Sequence, residues 1–551
     1  MPGHDVILIH PPSVYDFRRK PLFTGALART VEGAQFTKVP IGMLSLAEYI
    51  DRAGYKVVVD NLGDRMTTIP GFDVERHLKN RSAQIFAIGL HFQQHAQGAM
   101  EIARLCKKLH PHSLVIMGGL TSTRFHDEII EKYDFIDAVV RGEAEKPLLR
   151  LVQAYEKHGK LSDTPNLTYR TDAGEIRVTP LMAASENLDD YEYTRFDLLE
   201  PQTSIYSDDS CHRWSLEVCR GCIYNCTICG GSAYTYRKHL GMRRPAFRSP
   251  TKIVEDMKKL NDQNVRFIGL FQDARMAGEQ YWRELLATIV KEKPVIERLS
   301  LDLLAPVDEE YLKEITKIGR QVILHLCPDV GSDSVRKKLG KHYTNEALMN
   351  TMKLCHKYRI PVTNFFSVGL AGETEKEVKE TWDIWAQLDA MNHEAETKGH
   401  FGDINQAVPI GGQIMGPIVL DPGSMAFDEP EKHGYKLLYK TLEEYIQALS
   451  QPSWHQWLNY ETQLLDKNAI IEQILNSVDF TINQREKHGF YGTQEAYYEH
   501  CRVEADRVIV KEIDKLMTLE NQKQRDTMII AMRRNLDELD KKRMIFINSE
   551  S

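Results

Sequence analysis

Short apolar, β-branched runs alternate with amphipathic stretches twice along this chain, and that double alternation limits its fold more than any other feature. In the first series the runs are Val6–Ile9, Tyr55–Asp60, Ile85–His91, Leu114–Met117 and Ile136–Val140. Helical patterns lie between and after them at Met43–Arg52, Ala96–Leu109, His126–Lys132 and Lys146–Glu156. Runs that are apolar on both faces and separated by helices build a parallel sheet covered on both sides, so residues 1–160 are expected to form a doubly wound, Rossmann-like α/β domain. Such domains bind ligands at the carboxyl ends of their strands. Those ends carry HPPS (His10–Ser13), LHFQQH (Leu90–His95), GGLTS (Gly118–Ser122) and RGEAE (Arg141–Glu145). Ser13, Gly118, Gly119, Gly142 and Glu143 are the candidate ligand contacts there.

Residues 161–210 read as a connector with a hairpin over Asn166–Val178 and a solvated acidic stretch at Glu186–Tyr193. The second series spans 211–420, with strand candidates Ser215–Cys219, Phe267–Gln272, Leu299–Leu304, Val322–Leu326, Asn364–Val368 and Ile404–Val408. Six βα units without a doubly wound glycine fingerprint suggest a partial (β/α)6 barrel, whose chemistry would sit at the carboxyl ends of its strands. After the turn-rich Asp421–Pro430, residues 421–551 are expected to be a helical domain, including Leu437–Ala448 and Glu504–Met517. Trp454, Trp457 and Tyr460 have helical spacing that favours a packed face.

Composition removes several classes of protein. The 551 residues are 42% hydrophobic and 27% charged, with a net charge of -8, which is no polycation signature for nucleic acid. No run approaches the roughly 18 apolar residues of a membrane span, and the start lacks the pattern of a signal peptide. A cytoplasmic location follows as the expectation, and in a reducing compartment cysteines favour thiolates over disulfides.

Nine cysteines are present, four of them within Cys219–Cys229, in the segment EVCRGCIYNCTICGGS (Glu217–Ser232). Cys222, Cys226 and Cys229 have the spacing C-x3-C-x2-C on a loop after the first barrel strand candidate. Three thiolates can hold three irons of a cubane cluster and leave the fourth open, as a catalytic cluster requires. Zinc on all four cysteines is the competing reading, but zinc sites usually space their CxxC pairs much more widely. Cys219 lies on the strand and is expected to be buried. Cys106, Cys211, Cys327, Cys355 and Cys501 are scattered and read as small hydrophobes.

With Gly221 before it, the three-cysteine motif resembles the signature of radical S-adenosylmethionine (SAM) enzymes. Preceded by ILIHPPS, VIMGGLTS and VVRGEAEKPLL, it is similar to the branch with an N-terminal cobalamin-binding domain. The resemblance covers about residues 1–420 and extends to FQDAR (Phe271–Arg275), PDVGSDSVRKKLGK (Pro328–Lys341) and SVGLAGETEKEV (Ser367–Val378). It implies a [4Fe-4S] cluster on Cys222, Cys226 and Cys229, with SAM chelated at the open iron, and cobalamin on the first domain. By position it also implies Gly230 and Gly231 beside the methionine part of SAM, Asp273 as acceptor for its ammonium or else as a helix N-cap, Asp329 and Ser332 near the ribose, and Gly369 near the adenine. Many relatives carry Glu at the ribose position, which this chain lacks.

The first 160 residues contain no Asp-x-His-x-x-Gly motif, so no strong protein ligand to cobalt is expected. His10, His91 and His95 read as packed or solvent-facing residues, and Arg243, Arg244 and Arg248 as a solvated cluster or a site for an anionic substrate or the cobalamin phosphate. The two cofactors imply a reaction class: an unactivated carbon cannot attack the SAM methyl group, but a carbon radical can take methyl from methylcobalamin. The expectation is a C-methyltransferase acting on a small molecule with an electron donor such as flavodoxin or ferredoxin, and with no nucleic-acid or membrane partner. Its alternatives are a non-methylating rearrangement, cyclisation or redox enzyme and a cobalamin-responsive binding protein.

Overall fold

A computed structural model describes residues 3–20, 22–23, 38–157, 161–171, 173–202, 212–319, 322–398, 410–414 and 418–550. The apolar runs of the first series form β1 (His4–His10), β2 (Val57–Asn61), β3 (Ala83–Gly89), β4 (Leu114–Gly118) and β5 (Ala138–Val140). They are parallel in the order β5-β4-β3-β1-β2, so the chain reverses its direction of winding beside β1 and β3. Strand β1 is buried from Val6 onward, as expected of a strand with helices on both faces.

The stretch expected to be a connector extends this sheet at both edges. β6 (Leu167–Arg170) and β7 (Ile176–Val178) form the hairpin and add antiparallel strands beside β5. β8 (Leu199–Glu200) returns to pair with β2 on the far side.

The second series gives β9 (His212–Glu217), β10 (Cys219–Arg220), β11 (Ala246–Phe247), β12 (Val265–Phe271), β13 (Arg298–Leu303), β14 (Val322–Asp329), β15 (Val362–Phe366) and β16 (Ile410–Ile414). Apart from the small β10–β11 pair, these strands form one parallel sheet in the order β16-β15-β14-β13-β12-β9. The strand expected at Ile404–Val408 lies outside the described residues. Local chemistry sets the helix starts: Ser249 accepts the Lys252 amide with Pro250 in the first turn, and Thr374 with Glu377 forms a capping box.

The third part contains β17 (Tyr435–Leu437) and β18 (Tyr460–Thr462), an antiparallel pair. The helix expected at Leu437–Ala448 begins later, at Leu442, where Thr441 and Glu444 form its capping box. Trp454 and Trp457 occupy one 3-10 turn whereas Tyr460 lies in β18, so their helical spacing does not reflect a shared helix. The turn ends at Leu458, whose backbone is extended (φ -61°, ψ 120°), so the helical backbone is confined to that single turn. Helices Lys467–Lys487, Thr493–Met517 and Gln522–Glu550 follow. Among the described residues, no helix is long and apolar enough to cross a membrane. One continuous apolar core runs from the first sheet through the second into Leu442, Tyr445 and Ile470, so the parts pack as one body.

Candidate active site

The three-cysteine loop leaves β10 at Gly221 and enters helix Ala233–His239, where Ser232 accepts the Thr235 amide as N-cap. The loop is tied to both neighbours. Thr227 donates its amide to Leu339 O at 3.0 Å, and Ala426 donates to Thr227 O at 2.8 Å. Backbone amides point at the sulfurs: Tyr224 N lies 3.4 Å from Cys222 Sγ and Gly231 N lies 3.3 Å from Cys229 Sγ.

Burial raises all three thiols, Cys226 to about 11 and Cys229 to about 12. Cations would therefore displace protons on binding. Among the described residues, no group of His, Cys, Asp or Glu is gathered around a single ion. Three soft donors on one short loop, with N–H groups aimed at their sulfurs, fit a polynuclear iron–sulfur cluster. Cys219, on β10, is 2% exposed and its thiol faces Gly221 O at 3.6 Å.

A cation that sequence reasoning left unassigned stands beside this loop. Lys341 Nζ is 2.7 Å from Asp329 Oδ2 and donates to Cys327 O at 2.5 Å. Its charge acts to lower the Cys226 thiol against burial. Its spacing from the cysteines carries no signal, because strands β11 to β14 and the helices between them separate the two in sequence. Asp329, at the end of β14, has a left-handed backbone and is held by this lysine. Ser332 is buried, with its hydroxyl 3.2 Å from that of Ser334.

The other residues expected near SAM have protein partners. Asp273 caps the turn Ala274–Ala277 through the Arg275 amide and pairs with the Arg275 guanidinium at 2.6 Å, while Leu304 N donates to it at 2.9 Å. Gly369 has φ +84°, and a Cβ there would lie 2.5 Å from Ile470 Cγ2, so the close approach observed at Gly369 is to a C-terminal helix. Gly230 faces Asp421, whose Oδ2 accepts the Gly230 amide at 2.8 Å and whose Oδ1 accepts Gln93 Nε2 at 3.3 Å. Gly231 borders Cys229 Sγ.

On the first domain, Ser13, Gly118 and Gly119 occupy strand ends beside β1 and β4, and the buried Ser13 hydroxyl and Gln94 Oε1 have no hydrogen-bond partner among the described residues. Unmatched polar atoms at the switch between β1 and β3 fit a polar cofactor edge. His10 and His95 meet edge to face at 5.1 Å, and burial pushes His91 down to about 4, so its ring is neutral at pH 7.

Gly142 and Glu143 sit on the loop that meets the second domain. Gly142 lies against Leu240, and Glu143 accepts the Ser185 amide at 2.9 Å. Arg220, two residues before Cys222, binds Glu145 at 2.8 Å, Glu217 at 3.2 Å and Glu143 at 3.4 Å, with its guanidinium 4.8 Å from the Tyr191 ring centroid. The strand leading to the cysteines is thereby joined to the first sheet. Arg248 is buried against Asp256 at 2.5 Å, and Arg244 pairs at the surface with exposed Glu186 at 2.8 Å.

These features define a protein with two cofactor domains. A B12 binding domain matches residues 31–152 and a Radical SAM superfamily domain matches residues 216–383. The chain belongs to the cobalamin-binding radical SAM proteins. An uncharacterized methyltransferase of Pyrococcus horikoshii is 23% identical over 64% of this chain and 74% of its own length. An anaerobic magnesium-protoporphyrin IX monomethyl ester cyclase of Rubrivivax gelatinosus is 22% identical over 55% of this chain and 54% of its own length. Among solved structures, the radical SAM methyltransferase TsrM of Kitasatospora setae, with tryptophan substrate and a SAM analog bound, superposes with a TM-score of 0.60 at 16% identity. That match covers 86% of this chain and 89% of TsrM, which establishes a shared fold.

Proposed function

We propose that this chain is a cobalamin-dependent radical SAM C-methyltransferase that acts on an unactivated carbon of a small molecule. The observation that supports the reading is the chain of contacts Gln93–Asp421–Gly230, which joins the loop after β3 to the cysteine loop, so that the candidate cobalamin and cluster sites would adjoin. When bound, the cluster with SAM supplies a carbon-centred radical and cobalamin supplies a carried methyl group.

The protein's part is binding and orientation. Cys222, Cys226 and Cys229 would hold the cluster, and Lys341 with Asp329 presents a buried, paired cation beside it. Ser13 and the Gly118–Gly119 turn would receive the polar edge of cobalamin. Arg220 fixes the cysteine-bearing strand on the cobalamin domain. A methyltransferase relative and a fold neighbour that is a tryptophan methyltransferase support methyl transfer to a small substrate, and a low-potential flavodoxin or ferredoxin would supply the electron. Because the cyclase relative is matched over only about half its length, a non-methylating cyclisation or redox reaction is the second reading.

Anaerobic protein reconstituted with iron, sulfide and cobalamin is incubated with methyl-labelled SAM and candidate substrates. The reading expects labelled product together with 5′-deoxyadenosine and S-adenosylhomocysteine. A substrate converted to unlabelled product, with deoxyadenosine alone, overturns methylation in favour of the second reading.

A further inference from the structure

In a packed barrel the lumen-facing rows are filled by branched apolar side chains. Here the register aligns a different row. Leu270 pairs with Leu301, which sets Phe271 beside Asp302 at the next step; Asp302 pairs with His325, and His325 with Thr363. Alternation sends these four to one face of the sheet. The opposite face carries Leu301, Leu303, Leu324 and Leu326, each 5% exposed or less and part of the core under the helices. The adjacent row on the lumen face is small, with Ser215, Gly269 and Ser300 side by side.

Geometry gives this belt a chemical polarity. Asp302 Oδ2 accepts the Gln272 amide at 3.2 Å, and Oδ1 is turned toward His325 Nδ1 at 3.6 Å. Both side chains keep about a quarter to a third of their surface accessible, at 30% and 26%. The Asp302 carboxylate offers an acceptor that selects hydrogen-bond donors and disfavours anions, with the imidazole beside it. Flat apolar surface flanks them: Phe271 is 54% exposed, and the Phe365 ring meets His325 edge to face at 5.8 Å.

We infer that Phe271, Asp302, His325 and Thr363 form the substrate-recognition layer of the barrel, and that it takes an uncharged or cationic molecule bearing an N–H or O–H donor on a flat, unsaturated body. This rests on the reading of the barrel as the reaction chamber, and it names the substrate class for that chamber.

The test uses the reconstituted holoprotein with SAM present and three probes, indole, 1-methylindole and indole-3-carboxylate, with dissociation constants read by ligand-detected NMR. Indole is expected to bind saturably at one site, with each of the others at least tenfold weaker. Asp302→Asn is expected to weaken indole about tenfold and to narrow its advantage over the carboxylate. Phe271→Ala is expected to weaken all three probes together, and it serves where Asp302→Asn does not load its cofactors. Absence of saturable indole binding, equal binding of 1-methylindole, or unchanged affinities in both variants overturns the inference. Binding is read without turnover, so failure of methyl transfer in the labelled-SAM assay is distinguishable from failure here.

Discussion

Asp421 fills the space that Gly230 leaves beside the last cluster cysteine: a Cβ built on Gly230 would lie 2.8 Å from Asp421 Cβ, and the Gly230 amide donates to Asp421 Oδ2 at 2.8 Å. Gly230, expected beside the methionine part of SAM, also admits a carboxylate from the third part of the chain. Hydrogen bonds to charged groups contribute about 1.5–3 kcal/mol, so Asp421→Ala should loosen the cysteine loop measurably. Iron retention under a chelator challenge is expected to fall in Asp421→Ala and to recover in Asp421→Asn, which keeps an acceptor oxygen. Equal retention in all three proteins would remove the carboxylate from this role.

Arg220 holds carboxylates from two domains in a setting where it is 11% exposed. Removing one partner from a buried ion network costs about 3–5 kcal/mol, because the remaining charges stay desolvated. Arg220→Ala is expected to lower the urea midpoint and to release cobalamin on desalting, with Arg220→Lys intermediate. A wild-type midpoint in Arg220→Ala would show that the network does not join the domains.

Glu373 is buried beside Tyr435 and Tyr460, and desolvation pushes its carboxyl up to about 8 despite the amides of Leu370 and Gly369. The folded protein therefore binds a proton that the unfolded chain releases between about pH 4.5 and 8. Stability from this group is full below the lower value and is lost as pH rises through the upper one, with a limit on the order of 3–5 kcal/mol. Glu373→Gln should reduce the fall in thermal midpoint between pH 6 and 8.5. A pH dependence identical to wild type would place the carboxyl in its ordinary range.

Gly369 carries φ +84° against Ile470. Gly369→Ala combines an unfavourable backbone with a steric clash and is expected to cost about 1–3 kcal/mol. Pairing it with Ile470→Ala, read by urea denaturation, should recover the steric share alone. Full additivity of the two variants would contradict the contact.

Much of this arrangement was legible in the sequence because it rests on local signals. Strand and helix periods gave both parallel sheets, and the cysteine spacing gave the loop at the end of β9–β10. Residues whose roles come from distant partners were not legible. Asp421 lay in a turn-rich junction and Glu145 at the close of RGEAE, and they acquire their roles from Gly230 and Arg220, each more than 70 positions away, while Lys341 is paired by Asp329 but reaches Cys226 only through the fold. The aromatic trio Trp454, Trp457 and Tyr460 misled because spacing does not show where an extended residue, here Leu458, ends a turn.

The central claim, that one chain unites a three-thiol cluster with cobalamin for methyl transfer, is tested most directly by nucleoside products from SAM under anaerobic reducing conditions. Cobalamin-loaded wild type should form both 5′-deoxyadenosine and S-adenosylhomocysteine. Cobalamin-free protein should form only deoxyadenosine, and Cys226→Ala, without the cluster that cleaves SAM, should form no deoxyadenosine. Formation of neither product by the loaded wild type, or deoxyadenosine from Cys226→Ala at the wild-type rate, would contradict the account.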